Sequence, residues 1–169
     1  KNTPTELDLI SEISKSEIFK NTQLVFKKMS SNKVTLLTSL TSSMIGIVLK
    51  DNQITLDEVS YLKSQIQRFI RLKDDHFYYL IDLNLEYAQK DPFFFKDLDN
   101  YIDFIDLSLN KDNKINFLEI LFTLSRADLV FNKKEYRLLY KFSKKFNIDN
   151  KTFDDFLIKT KKTIENELS

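Results

Sequence analysis

One figure recurs three times along the chain: an acid, a short turn bearing an apolar residue, a Thr or Asn, and a Glu seven places after the acid. It runs as Asp51–Glu58 (D-N-Q-I-T-L-D-E), Asp112–Glu119 (D-N-K-I-N-F-L-E) and Asp128–Glu135 (D-L-V-F-N-K-K-E). The pairs Thr55/Glu58, Asn116/Glu119 and Asn132/Glu135 have capping-box spacing, so each figure reads as a turn that delivers the chain into a helix. Strand-rich folds need turn residues at many corners, and this chain has one Gly and two Pro in 169 residues. The expected fold is all-α: a single-domain helical bundle of about seven to nine helices.

Between the figures the apolar residues keep a helical period. Thr3-Pro4-Thr5-Glu6 reads as a first helix start with Pro in the first turn, followed by Leu9 and Ile13. A weaker pattern follows with Ile18, Val25 and Met29, then a clean one over 34–49 with Leu37, Leu40, Met44, Ile47 and Val48. Gly46 stands inside that last helix, where Gly costs about 1 kcal/mol relative to Ala, and it reads either as the close approach of another helix or equally as a tolerated residue with no packing role. Val59, Leu62, Ile66 and Phe69 define the next stripe, and Asp75 is placed to cap a helix carrying Leu80, Ile81 and Ala88. Asp91-Pro92 stops that helix, because the residue before Pro is driven out of the helical region. Leu98, Tyr101, Ile102 and Ile105 form a further stripe. The helix expected after Asn116 is apolar on two faces, Phe117, Ile120, Leu121 and Leu124 on one, Leu118 and Phe122 on the other, and so belongs near the centre. Two last helices carry Leu139, Phe142 and Phe146, then Phe153, Phe156, Leu157 and Ile164.

Aligning Asp51 on Asp128 brings Leu62 onto Leu139 and Phe69 onto Phe146, and, after a one-residue gap, Leu72 onto Ile148 and Phe77 onto Phe153. The bundle is therefore expected to be built from two pseudo-repeats. These residues resemble the tellurite-resistance TerB-like family, which includes the helical region preceding the J-domain of DjlA-type membrane co-chaperones. The family's alanine, aspartate, glycine, turn and Glu are matched by Ala127-Asp128 with Glu135, followed by Phe146-Asn147-Ile148 and Phe153; Asp51 with Glu58 is the partner copy. Where the family has Gly after the acid, this chain has Asn52 and Leu129. The resemblance covers residues 34 to 157 and implies a division into an N-terminal helical extension, 1–33, and a TerB-like domain, 34–169. It also implies an interaction module of a bacterial stress or envelope system, with motif acids suggested to hold metal.

The chemistry in the residues themselves is sparse. There is no Cys, and a single His76 cannot build a His-based metal site or a set of catalytic imidazoles. No Gly-rich phosphate loop is present, and the expectation is a protein that is not an enzyme. Net charge is +1, but basic residues dominate before position 71 and after 133 while 72–119 is acidic. No nucleic-acid partner is expected, although Lys141, Lys144 and Lys145 with Lys159, Lys161 and Lys162 are the residues that would form a basic face. No apolar run approaches the roughly 20 residues of a spanning helix. A cytoplasmic chain is expected, with any membrane association carried by a segment outside it.

Two candidate sites follow. The first is metal: Ser108–Glu119 resembles an EF-hand loop with Asn110, Asp112 and Glu119 at ligand positions, though Ser108 and Asn113 replace the usual Asp and Gly. Asp51, Glu58, Asp128 and Glu135 are the other candidate ligands. Capping accounts for all three figures without an ion, so no obligatory cofactor is expected and Ca²⁺ or another divalent ion is the alternative. The second is Phe93-Phe94-Phe95, read either as a loop tucked under neighbouring helices or as an exposed hot spot for a protein partner.

Overall fold

The Ser30 hydroxyl accepts from the Lys33 amide at 3.3 Å and so starts α3, Ser31–Val48, the helix around which the others are arranged. Leu37, Leu40, Met44, Ile47 and Val48 are buried along it, but so are Thr35, Thr38, Ser39, Thr41, Ser42 and Ser43. Thr35, Ser39 and Ser43 stand one turn apart, and each hydroxyl donates to the carbonyl four residues back, at 2.7, 2.7 and 2.8 Å. Those three bonds offset part of the cost of burying so polar a helix, while the Thr38, Thr41 and Ser42 hydroxyls are buried without a hydrogen-bond partner among the described residues. Its small side chains admit neighbours from several directions.

The computed structural model describes residues 4–49, 55–67, 71, 74–126 and 133–168, and these comprise nine α-helices with no strand among them. The others are α1 (Glu6–Ile13), α2 (Glu17–Val25), α4 (Leu56–Ile66), α5 (Asp74–Lys90), α6 (Phe94–Ser108), α7 (Lys111–Arg126), α8 (Lys133–Lys145) and α9 (Asn150–Leu168). Helices α1, α2, α4, α5, α6 and α7 all pack on α3. A Cβ on Gly46 would sit 3.0 Å from Leu98 Cδ1 of α6, so the lone glycine does mark a close helix approach. Among the described residues, no helix is long and apolar enough to cross a membrane.

Several boundaries differ from those read in the sequence. The cap of α1 is Thr5, which exchanges hydrogen bonds with Asp8 in a full capping box at 3.1 Å each way. Asp75 lies inside the first turn of α5 rather than before it. The three phenylalanines do not form a loop: Asp91 Oδ1 accepts from the Phe93 amide at 2.9 Å, and α6 begins at Phe94. Helix α7 begins at Lys111, with Asn110 as its cap, accepting from the Asn113 amide at 2.9 Å. Asn116 is therefore inside the helix and caps nothing. Phe117, Leu118, Ile120, Leu121, Phe122 and Leu124 are buried, so α7 shares the centre with α3. The boundary expected at residue 33 falls within α3.

The contact order is parallel in the two halves: α3 packs on α4 and α5, α7 packs on α8 and α9, and α3 packs on α7. Leu62 and Leu139, aligned in the sequence, are both fully buried. Phe69, Leu72 and the side chain of Phe77, which complete that alignment, lie outside the described residues.

Candidate protein-docking face

Two ladders of opposite charge face each other across α6 and α8. Asp99, Asp103 and Asp106 recur at helical spacing on α6; Lys141 of α8 pairs with Asp99, Lys145 of α8 with Asp103 at 2.7 Å, and Lys114 of α7 with Asp106 at 2.8 Å. Since the first two pairs climb both helices in the same direction, α6 and α8 run parallel. The Asp103 carboxylate accepting from Lys145 holds that ammonium's pKa above its usual value, against the opposing effect of burial.

Beside these pairs runs an open cleft. One part, about 490 Å³, is floored by Leu49, Leu98 and Leu138 and flanked by Phe95, Lys134 and Arg137. Arg137 and Lys141 also line a second part of about 680 Å³, which adds Ile102, Tyr140 and Lys144. Tyr136 and Tyr140 stack at 6.2 Å between centroids, both meet Phe153 edge-on, and the Lys144 ammonium stands 5.2 Å over the Tyr140 ring. Aromatic rings and Arg are residue types enriched at protein contact surfaces.

The phenylalanine triplet splits. Phe94 is a core residue at 2% exposure, Phe95 reaches the cleft, and Phe93, 62% exposed, faces a separate hollow with Glu12, Lys15 and Asp91. Of the three, Phe95 alone joins the α6–α8 face. The sequence reading missed Tyr136, Arg137 and Tyr140; the four-residue spacing of two tyrosines on an otherwise polar helix face was the available signal. It also counted Lys141, Lys145 and Lys159 toward a basic face, whereas Lys141 and Lys145 are paired with α6 and Lys159 Nζ lies 3.9 Å from Glu119.

The metal candidates separate by geometry. Asn110, Asp112 and Glu119 do not form an EF-hand loop: the last two lie on one continuous helix, about 10 Å apart along its axis, with Asp112 exposed. Among the described residues, no group of three or more His, Asp or Glu side chains is placed to hold an ion. Asp51 and Asp128 lie outside the described residues. Glu58 is set apart by its burial. It is fully buried, Oε1 accepts from the Thr55 amide at 2.9 Å, and Oε2 has no hydrogen-bond partner among the described residues. Glu135 is likewise buried in the first turn of α8.

A family model described as "Tellurite resistance protein TerB" matches residues 37–157. The chain belongs to the TerB family. No curated protein and no solved structure matches it. The matched span of this TerB-family chain opens inside α3 and closes inside α9, so it contains the whole α6–α8 face and both buried glutamates, while α1 and α2 stand outside it.

Proposed function

We propose that this TerB-family chain is a non-enzymatic protein-interaction module of a bacterial stress or envelope-associated system, acting in the cytoplasm and docking a protein partner through the α6–α8 cleft. The observation that carries this is the cleft itself, an apolar floor of Leu49, Leu98 and Leu138 edged by Phe95 and Tyr140 and rimmed by Lys134 and Arg137. The stress context rests on the family's description as a tellurite-resistance protein. A Phe95→Ser, Arg137→Glu, Tyr140→Ser variant changes three exposed positions and leaves the buried Phe94 in place, at the loss of its edge contact with Phe95. In affinity capture from the native host it is expected to lose a protein that wild type retains; equal recovery of every protein overturns the reading.

A second reading, a divalent-metal-responsive domain, is favoured by one observation. A buried carboxylate oxygen without a hydrogen-bond donor among the described residues is costly, and a bound cation would relieve that cost. On this reading, titration calorimetry with CaCl₂ or MgCl₂ gives a binding signal that Glu58→Gln abolishes and Asp112→Asn leaves intact. No heat at roughly millimolar metal, the weak end of calcium sites, eliminates it.

A further inference from the structure

A further hollow lies in neither of these places. It is an open groove of about 970 Å³ where the end of α2, the start of α3 and the start of α5 converge. Its floor is Val25, Phe26, Met29 and Leu36, side chains half-buried against the core that still show apolar surface. The Phe26 and His76 rings meet edge-on at 5.9 Å, which ties the α2 end to α5. Around the floor stand Lys27, Lys28, Lys33 and Arg71, and among the described residues no carboxylate lines it.

That charge is local. The chain as a whole carries +1, so four cations on one groove are not the spillover of a basic protein. A groove with an apolar floor and a rim of one sign is complementary to an amphipathic ligand of the opposite sign. Its openness to solvent distinguishes it from the enclosed cavity that buries most of a small ligand, and suits a helix laying the apolar side chains of one face into a trough. Met29 at the floor can adapt its thioether to differing side chains.

We propose that this groove binds an acidic amphipathic helix of another protein, its apolar stripe on Phe26, Met29 and Leu36 and its flanking carboxylates on Lys27, Lys28, Lys33 and Arg71. The groove shares no lining residue with the α6–α8 cleft, and most of it precedes the span that the TerB model matches. It is thus a second contact site, independent of the first.

The probe is a labelled synthetic helix of about 15 residues, long enough to be marginally helical alone, with Leu at helical spacing flanked by Glu. Fluorescence anisotropy with the full chain is expected to show binding that weakens by about tenfold or more in Lys27→Glu, Lys28→Glu, and as salt rises from about 50 to about 500 mM. The Arg137→Glu chain binds as wild type, which separates this site from the α6–α8 face. On the wild-type chain, backbone amide shifts are expected to move over residues 25–36 and at Arg71 and His76, a readout that needs no variant. The proposal is overturned if the acidic helix does not bind, if a twin with Lys for Glu or Ser for Leu binds equally well, or if the shifts fall elsewhere. Binding of phosphatidylglycerol vesicles without binding of the helix would assign the groove to lipid and overturn it too.

Discussion

At Gly46 two effects of comparable size oppose each other. Replacing a mid-helix Gly by Ala favours the helix by about 1 kcal/mol, but the new methyl would stand 3.0 Å from Leu98 Cδ1 and 3.7 Å from Leu138 Cδ2. Leu98 is itself buried at 1% exposure, so shifting its end carbon disturbs packed neighbours on every side but the cleft it floors, and overpacking costs about 1–3 kcal/mol. The overpacking term wins. Gly46→Ala is expected to lower stability by about 1 kcal/mol in urea unfolding, and to cost less in a Leu98→Val background, with a coupling of at least about 0.5 kcal/mol. Additive costs would show that Leu98 is not what the methyl meets. Gly46 was half readable in advance, because a helical Gly can mark a close approach or simply be tolerated, and only the Leu98 contact decides between them. Glu58 was half readable: its capping role follows from its spacing to Thr55, but nothing in that spacing tells that its second oxygen is buried.

The turn between α8 and α9 is held at the scale of elements. Asn147 takes φ 53°, the Ile148 amide donates to the Ser143 carbonyl at 3.0 Å, and the Asn147 amide donates to that of Lys144 at 3.1 Å. That is a Schellman ending with Asn in the left-handed place, and Ile148 is buried behind it. Asp149 then starts α9, its Oδ1 accepting from the Thr152 amide at 2.7 Å. Asn147→Val is expected to cost about 1–2 kcal/mol in thermal or urea unfolding, since a β-branched residue resists positive φ, while Asn147→Gly is no less stable than wild type. Hydrogen bonds from backbone amides hold the Asp149 carboxyl, and likewise Asp8 at Thr5, below the ordinary carboxylate value of 3.8. Both contributions are present above that value and are lost as pH falls through the lower folded one. Asp97 works the other way: burial raises it, so its charged form opposes folding as pH rises past 3.8. The acid limb of a melting-temperature profile should therefore flatten in Asp8→Asn, Asp149→Asn and not in Asp97→Asn. Elements were legible where an apolar stripe crossed a polar helix, as on α6 and α8. They were misjudged where the signal was a cap alone: Asn116 has the spacing of a cap, but Asn110 starts the helix a turn and a half earlier. Helix α3 was placed correctly yet its centrality was hidden, because Ser and Thr that bond their own backbone look polar in sequence and behave as small packing residues in the fold.

Over the whole molecule, α8 is held in two different ways. On its apolar side Leu139 and Phe142 are buried, Phe142 in edge contact with Phe117 of α7 at 6.3 Å, and no salt or proton alters that packing. Toward α6 it presents Lys141 and Lys145, whose pairs are partly solvated and contribute at most about 1 kcal/mol each. No sequence pattern announced this arrangement, since the partners are some forty residues apart and only the parallel run of α6 and α8 brings the ladders into register. The Lys145 pKa is raised above 10.5 first by its hydrogen bond to Asp103 and then by the charges of Asp103, Asp106 and Asp99, with burial opposing. Its contribution is therefore fully present below 10.5 and disappears as pH rises through the higher folded value. The apolar side should then hold α8 in place while its charged edge loosens, and amide exchange distinguishes the two. On raising pH past 10.5, or on substituting Lys145→Met at neutral pH, α8 amides are expected to lose a few-fold protection relative to α3 amides in the same molecule. A ratio of α8 to α3 protection unchanged by Lys145→Met would show that the apolar side alone seats the helix, and that the cleft edge is not set by these pairs.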